Sequence, residues 1–406
     1  MSFNEDWQEV KFGEIIESVS KTHSFDKDEI ILINTSDVLD GKVLNHKYVK
    51  NENIKGQFKK TFKKNDILYS EIRPKNKRFA YVDFNAKDYV ASTKLMVLRK
   101  TVNEVENRFL FYVITSNKII NKLQNLAETR SGTFPQITFN EVANLKIKIP
   151  TFREQRKIAN FISSIDEKIE NNNKMNKTLE EMAQAIYKSW FVDFEPFQDE
   201  KFVESELGLI PKNWEVVSFD DLFEFQKGKT PKNKSKEKKE GYLKYLTISV
   251  LSGKKTVYGK PTEKNILVNE NDVVMVMDGS RSGKIFFGTS GIVASTLAKL
   301  NIINDNISNG FIYLLAKYYE KEFMKNTTGS AVPHADKKYI LNKKIAIPKN
   351  KNLLSNFNKS INDIKTKISL NREENHSLKE LRDSLLPKLM SGEIRVPIDE
   401  DAKEVN

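Results

Sequence analysis

The sequence predicts an α+β chain built from two duplicated mixed α/β halves. The halves are separated by two long helices that pair as an antiparallel coiled coil, giving pseudo-twofold symmetry. Two observations carry this. A stripe of residues at alternating steps of four and three runs Ile158, Ile162, Ile165, Ile169, Asn172, Asn176, Leu179, Ala183, Ile186, Trp190. Adding 199 to each number gives Phe357, Ile361, Ile364, Ile368, Asn371, Asn375, Leu378, Arg382, Leu385, Leu389, and only the Ala183/Arg382 pair changes character. A 4/3 alternation is the heptad of a coiled-coil seam, and so narrow an apolar stripe needs a partner. The second observation is that the repeat extends upstream. Trp7-Gln-Glu-Val-Lys-Phe returns as Trp214-Glu-Val-Val-Ser-Phe, Asn65-Asp-Ile as Asn271-Asp-Val, Val90-Ala-Ser-Thr93 as Val293-Ala-Ser-Thr296, and Pro135 and Pro150 as Pro333 and Pro348. Two copies are too few for a solenoid, so the sequence describes a duplicated domain.

Residues 1–151 form the first globular half. The runs Ile30-Ile-Leu-Ile33, Ile67-Leu-Tyr69 and Leu95-Met-Val-Leu98 lie between polar turns and predict strands, and Phe109 to Leu123 predicts a helix. Residues 152–195 are the first long helix. Residues 196–213, marked by Pro196 and Pro211, read as a linker. The second half, 214–349, repeats the pattern with strands at Val273 to Met277 and Ala298 to Ile303 and a helix from Phe311 to Phe323. The second long helix spans 350–396, followed by a tail over 397–406. Asn172, Asn176, Asn371 and Asn375 interrupt the seam. A buried amide must meet a polar partner, which excludes slipped alignments and fixes register. Antiparallel pairing about a centre near Lys174 and Glu373 sets Asn172 opposite Asn375 and Asn176 opposite Asn371. A kink or solvated gap is the alternative, and recurrence at the same offset favours register.

At 406 residues the chain is long enough for two cores. Lys and Arg outnumber Asp and Glu by 67 to 55, a net charge of +12, which favours a polyanionic partner only if the charge is positioned, since lysine richness also serves solubility. No cysteine is present, excluding disulfides and thiolate chemistry. The longest apolar runs are far short of a membrane span and the first residues lack signal-peptide order, so a cytoplasmic protein without membrane contact is expected.

Catalytic motifs are missing. Gly279-Ser-Arg-Ser-Gly-Lys284 is one residue short of a phosphate loop and is followed by Ile285. The four histidines have no metal-ligand spacing. Asp66 with Glu71-Ile-Arg73 loosely suggests a nuclease carboxylate pair, but Met277 and Gly279 stand at the places of Glu71 and Arg73 in the second copy, so solvated strand-end charges are the expectation. Neither a catalytic residue nor a metal ligand is expected.

Basic turns instead occur at matching places. Arg73, Lys75, Lys77 and Arg78 lie between two strands of the first half; Arg281 and Lys284 occupy the corresponding gap of the second. The stretches 130–136 and 328–338 form another matched pair, with Arg130 and Gln136 in one and His334 and Lys337 in the other. Such side chains reach phosphates and base edges, so DNA contact is favoured over an ordinary hairpin surface. Lys229 and Lys232 belong to a lysine run, 227–239, that reads as a flexible insertion contacting phosphates without sequence preference.

Lys188-Ser-Trp-Phe-Val-Asp-Phe-Glu-Pro196 resembles the central conserved region of specificity subunits of type I restriction-modification systems. Gly208-Leu-Ile-Pro-Lys-Asn-Trp-Glu-Val216 resembles the entry to their second target recognition domain, Leu381 to Ile394 their C-terminal conserved helix, and Pro150-Thr-Phe-Arg-Glu-Gln155 the lead-in to the central one. The second half departs at Pro348-Lys-Asn-Lys-Asn-Leu, which lacks Glu-Gln. The resemblance covers essentially the whole chain. It implies a non-catalytic subunit with two target recognition domains, one per half-site of a split double-stranded DNA target, bound by two modification subunits and, in the full assembly, by restriction/translocase subunits. S-adenosylmethionine, ATP and Mg2+ would be used by those partners and not by this chain. Two other readings stay open: a stand-alone duplicated DNA-binding scaffold, and a nuclease, which the unrepeated carboxylates disfavour.

Overall fold

The structure is a computed structural model that describes residues 7–24, 26–52, 54, 56–129, 135–253 and 255–396. It divides into two compact units, 1–170 with 375–406, and 171–374. Each unit takes one globular half and a part of each long helix.

In the first unit two four-stranded sheets share a buried middle. One is antiparallel, in the order Ile16–Ser18, Leu95–Lys100, Ile67–Ser70, Phe79–Tyr81; the other runs Tyr48–Lys50, Glu29–Ile33, Tyr89–Ser92, Phe58–Thr61, with one parallel pair, Glu29–Ile33 on Tyr89–Ser92. All four residues of Ile67–Ser70 are buried, which explains its unbroken apolar run. Side chains alternate across a strand, so Ile67, Tyr69, Met96 and Leu98 face a core shared with helices, while Leu68, Leu95 and Val97 face the second sheet through Ile31, Ile33 and Ala91.

The second unit repeats this order with Phe223–Lys227, Leu297–Ile302, Val273–Val276 and Ile285–Phe286, and with Tyr258–Gly259, Leu243–Leu246, Gly291–Val293 and Leu267–Val268. Val273 and Met275 face one core, Val274 and Val276 the other. It adds one edge strand, Lys234–Ser235, paired with Tyr258–Gly259. The lysine run is therefore not a free insertion. Its middle is tied into a sheet edge, and Asn265 Nδ2 donates to the Lys229 carbonyl at 2.8 Å.

Three further expectations need correction. The helix expected over Phe109 to Leu123 is two helices, Asn107–Ile114 and Asn117–Thr129. Thr115 Oγ1 donates to the Phe111 carbonyl at 2.7 Å, and Ser116 starts the next helix by accepting from Ile119 N. Such side-chain bonds compete with the helix while the apolar spacing carries on across the break. The second copy breaks likewise into Asn309–Tyr318 and Glu320–Lys325. The expected linker contains a hairpin, Phe202–Ser205 with Gly208–Pro211, turned by Gly208 at φ +88°. Finally, Asp66 is not a solvated charge. It is 1% exposed and accepts from Arg99 Nε and Nη2 at 2.8 and 2.7 Å. Asp272 and Lys299, at 2.8 Å, repeat the pair.

The long helices run Phe152–Phe191 and Lys351–Ser391, and no member of either stripe is exposed. Within the second unit Asn371 Nδ2 donates to Asn176 Oδ1 at 2.8 Å, as the antiparallel register requires, and Asn172 Nδ2 donates to Glu374, the neighbour of Asn375, at 2.7 Å. Asn172, Asn176, Asn371 and Asn375 are all buried. Within the first unit Arg382, the one mismatch of the stripe, reaches Asp166 at 2.7 Å, and Tyr112 donates to the same carboxylate. Asn371→Leu should cost about 1–3 kcal/mol by stranding Asn176, whereas Asn176→Leu with Asn371→Leu should recover most of that, because both polar groups are gone. Denaturant unfolding of the three variants measures it; equal losses in single and double mutants would show the amides do not act as a pair.

Candidate nucleic-acid interface

In each half the turn leaving the central buried strand is stitched to the segment around the matched proline. Arg73 N donates to the Pro135 carbonyl at 3.0 Å and Ile137 N to Glu71 at 2.8 Å. In the second half Gly279 N donates to Pro333 and Ala335 N to Met277, both at 2.8 Å. The two loop sets matched by sequence are thus neighbours within each half, joined by the same backbone bonds. Isolated bridges, Ile72 with Gln136 and Asp278 with His334, mark the junctions.

The first junction presents a basic turn around the short helix Pro74–Asn76, flanked by Arg73 at φ +45° and Lys77 at φ +52°. The left-handed conformation is uncommon for such residues and fits a turn held by its surroundings. Lys75 N donates to Gln124 Oε1, locking the turn to the helix Asn117–Thr129. The side chains of Arg73, Lys75, Lys77 and Gln136 are exposed, with Lys77 3.6 Å from Asp40. Arg78 is half-buried, and its Nη1 donates to the carbonyls of Ser36 and Val38, so part of its guanidinium braces a neighbouring loop. Arg130 lies outside the described residues.

The second junction has different chemistry. Ser282 Oγ is buried within 2.7–3.2 Å of the carbonyls of Gly279, Pro333 and Met277. A Cβ on Gly283 would lie 2.8 Å from Met324 N and Phe323 C, so this glycine exists for close packing against a helix. The phosphate-loop-like string is therefore a structural turn. Arg281 Nη1 donates to Ser252 Oγ at 2.9 Å, and Lys284 lies over the Phe286 ring at 5.5 Å. Lys337 lies over Phe225 at 5.9 Å, and Lys229 and Lys232 are exposed.

Sequence reading missed Asp278, whose aligned residue is Ile72. Its carboxylate meets His334 Nδ1 at 2.8 Å and Lys227 Nζ at 3.1 Å. Burial opposes its ionisation, but the hydrogen bonds from His334 and Lys227 and the lysine charge outweigh it and hold the carboxyl below the usual range. With a lowered folded value, its stabilising contribution is fully present above about pH 4 and lost as the pH falls through that lower value. Wild type should therefore lose more melting temperature than Asp278→Asn on acidification; parallel curves would contradict the pairing.

Among the described residues no group of three or more His, Asp or Glu could hold a metal ion, and no helix is long and apolar enough to cross a membrane.

Comparison with known proteins agrees with this architecture. The family profile described as "Type I restriction modification DNA specificity domain" matches residues 4–181 and 211–379, one match per copy. The type I restriction enzyme HindI specificity subunit of Haemophilus influenzae is 30% identical over 468 aligned positions, covering 96% of this chain and all of that protein. The MjaIX specificity subunit of Methanocaldococcus jannaschii is 31% identical over 312 positions, covering 72% of this chain and 70% of the other. A crystal structure of a type I restriction-modification S subunit from M. genitalium shares the fold, with a TM-score of 0.55 at 19% identity over 98% of this chain and 99% of that one. With the duplicated fold and the two family matches in register, the chain belongs to the specificity subunits of type I restriction-modification systems.

Proposed function

We propose that this specificity subunit reads a bipartite double-stranded DNA target, one half-site per globular half, and directs adenine methylation by two modification subunits. With restriction/translocase subunits added, the same address selects DNA for cleavage. The chain itself supplies no catalytic group; S-adenosylmethionine serves the modification subunits, ATP and Mg2+ the restriction subunits, and the assembly works in the cytoplasm. The observation that carries the reading is the duplicated junction: the same backbone bonds hold the same two loops together in both halves, while the side chains they offer differ. One scaffold with two sets of presented groups is what a split, asymmetric target demands. Lysines and arginines supply phosphate contacts that position the duplex, and only a few groups read bases.

Methylome sequencing of cells expressing the chain with its modification subunit tests this. Arg73→Ala with Lys75→Ala should weaken or relax one half-site, and Arg281→Ala with Lys284→Ala the other, each lost base contact lowering discrimination by about 1–3 kcal/mol. Equal changes at both half-sites from either pair would refute modular reading. A chain that co-purifies with no modification subunit and leaves adenine methylation unchanged would instead be a stand-alone DNA-binding scaffold.

A further inference from the structure

The two junctions differ most at one spot. In the first half the bridging pair is Ile72 and Gln136, an apolar residue beside an amide that can both donate and accept. In the second it is Asp278 and His334. Three observations fix the imidazole there. A carboxylate only accepts, so the 2.8 Å contact places a proton on His334 Nδ1. Lys227 at 3.1 Å supplies a counter-charge to the same carboxylate. A Cβ on Gly329, which sits at φ +86°, would stand 2.4 Å from the Val332 carbonyl oxygen and 2.9 Å from His334 Cδ2, so the glycine lets this turn close against both its own backbone and the ring. The ring is nevertheless half exposed, at 50%. The basic side chains around the junction, Lys227, Arg281, Lys284 and Lys337, carry only donors.

We infer that Asp278 is a positioning residue for base reading: it commits Nδ1 of His334 as donor to itself and leaves Nε2 as the acceptor offered to one base of the second half-site. An acceptor at this place selects an exocyclic amine, adenine N6 or cytosine N4 in the major groove, and rejects the carbonyls of guanine and thymine. This rests on the proposed reading of DNA by the junctions and adds to it which group discriminates and how its tautomer is set. Histidine without the aspartate can present either ring nitrogen as donor, so the acceptor role belongs to the pair.

The test uses the chain assembled with its modification subunit and a random-sequence duplex library, enriched by binding and sequenced. Wild type should return a bipartite motif. Asp278→Asn and His334→Gln should each lower the preference at the same single position of one half-site by about ten-fold or more, leaving the other half-site intact. His334→Gln installs the residue the first half carries at this place, so the scaffold accommodates it, and melting curves confirm folding of each variant. Asp278→Glu should keep the preferred base, since a carboxylate remains. Asp278→Asn with an unchanged base preference overturns the positioning role, and His334→Gln with both half-sites unchanged overturns the reading role. A wild-type complex that enriches no motif overturns the proposed function itself, an outcome visible before any variant is compared.

Discussion

Phe191→Ala should destabilise the second unit by about 3–5 kcal/mol, the cost of emptying an aromatic site in a packed core. Phe191 is 5% exposed and its ring lies 4.8 Å from Phe357, 4.9 Å from Phe311, 5.4 Å from Tyr187 and 5.6 Å from Trp214. Those four rings come from the central helix itself, the C-terminal helix, the helix Asn309–Tyr318 and the first strand of the second half. One side chain therefore joins the helix pair to the globular half, and two edge-to-face contacts, with Phe311 and Phe357, are lost with it. For a unit of this size the loss corresponds to a melting shift of roughly 10 °C. Phe191→Leu keeps most of the volume and should cost clearly less. Differential scanning calorimetry checks both; a shift below a few degrees for the alanine variant would mean that the cluster is redundant.

Arg99→Met should be nearly as damaging, at about 3 kcal/mol, because it strands a buried carboxylate. Asp66 is 1% exposed, and without the two guanidinium bonds it keeps only the Lys63 backbone N–H at 2.7 Å. Asp66→Asn combined with Arg99→Met removes the charge along with its partner and should be milder than Arg99→Met alone. On the proposed function the same double mutant should still direct methylation in cells, since the carboxylate is buried and braces two strands. Loss of methylation with an intact melting curve would give Asp66 a role beyond structure and reopen the nuclease reading.

Much of this architecture was legible in the residues. The seam needed only spacing, since a stripe advancing by fours and threes lies on one side of a helix whatever surrounds it. The asparagines went further. Their repetition at one offset placed Asn176 opposite Asn371, and that bond is present. The strands around Ile67 and Val273 were readable because burial on both faces leaves an unbroken apolar run. The breaks after Ile114 and Tyr318 were not, because both short helices bury apolar residues on the same core and the spacing runs straight through.

The candidate site divides in the same way. Basic turns and their duplication are sequence facts, and they located both loop sets. Arg78, however, is partly committed to the Ser36 and Val38 carbonyls, and Asp278 was invisible because its significance lies in a histidine 56 positions away. By itself the sequence determined the duplication, the helix pair with its register, and which loops carry charge, since each depends on periodicity or composition along the chain. Only the tertiary structure decided which charges are buried braces and which are exposed, and which two loops form one surface. A hydrogen bond or ion pair between residues distant in the chain leaves no periodic trace, and its worth depends on the solvent that folding removes from around it.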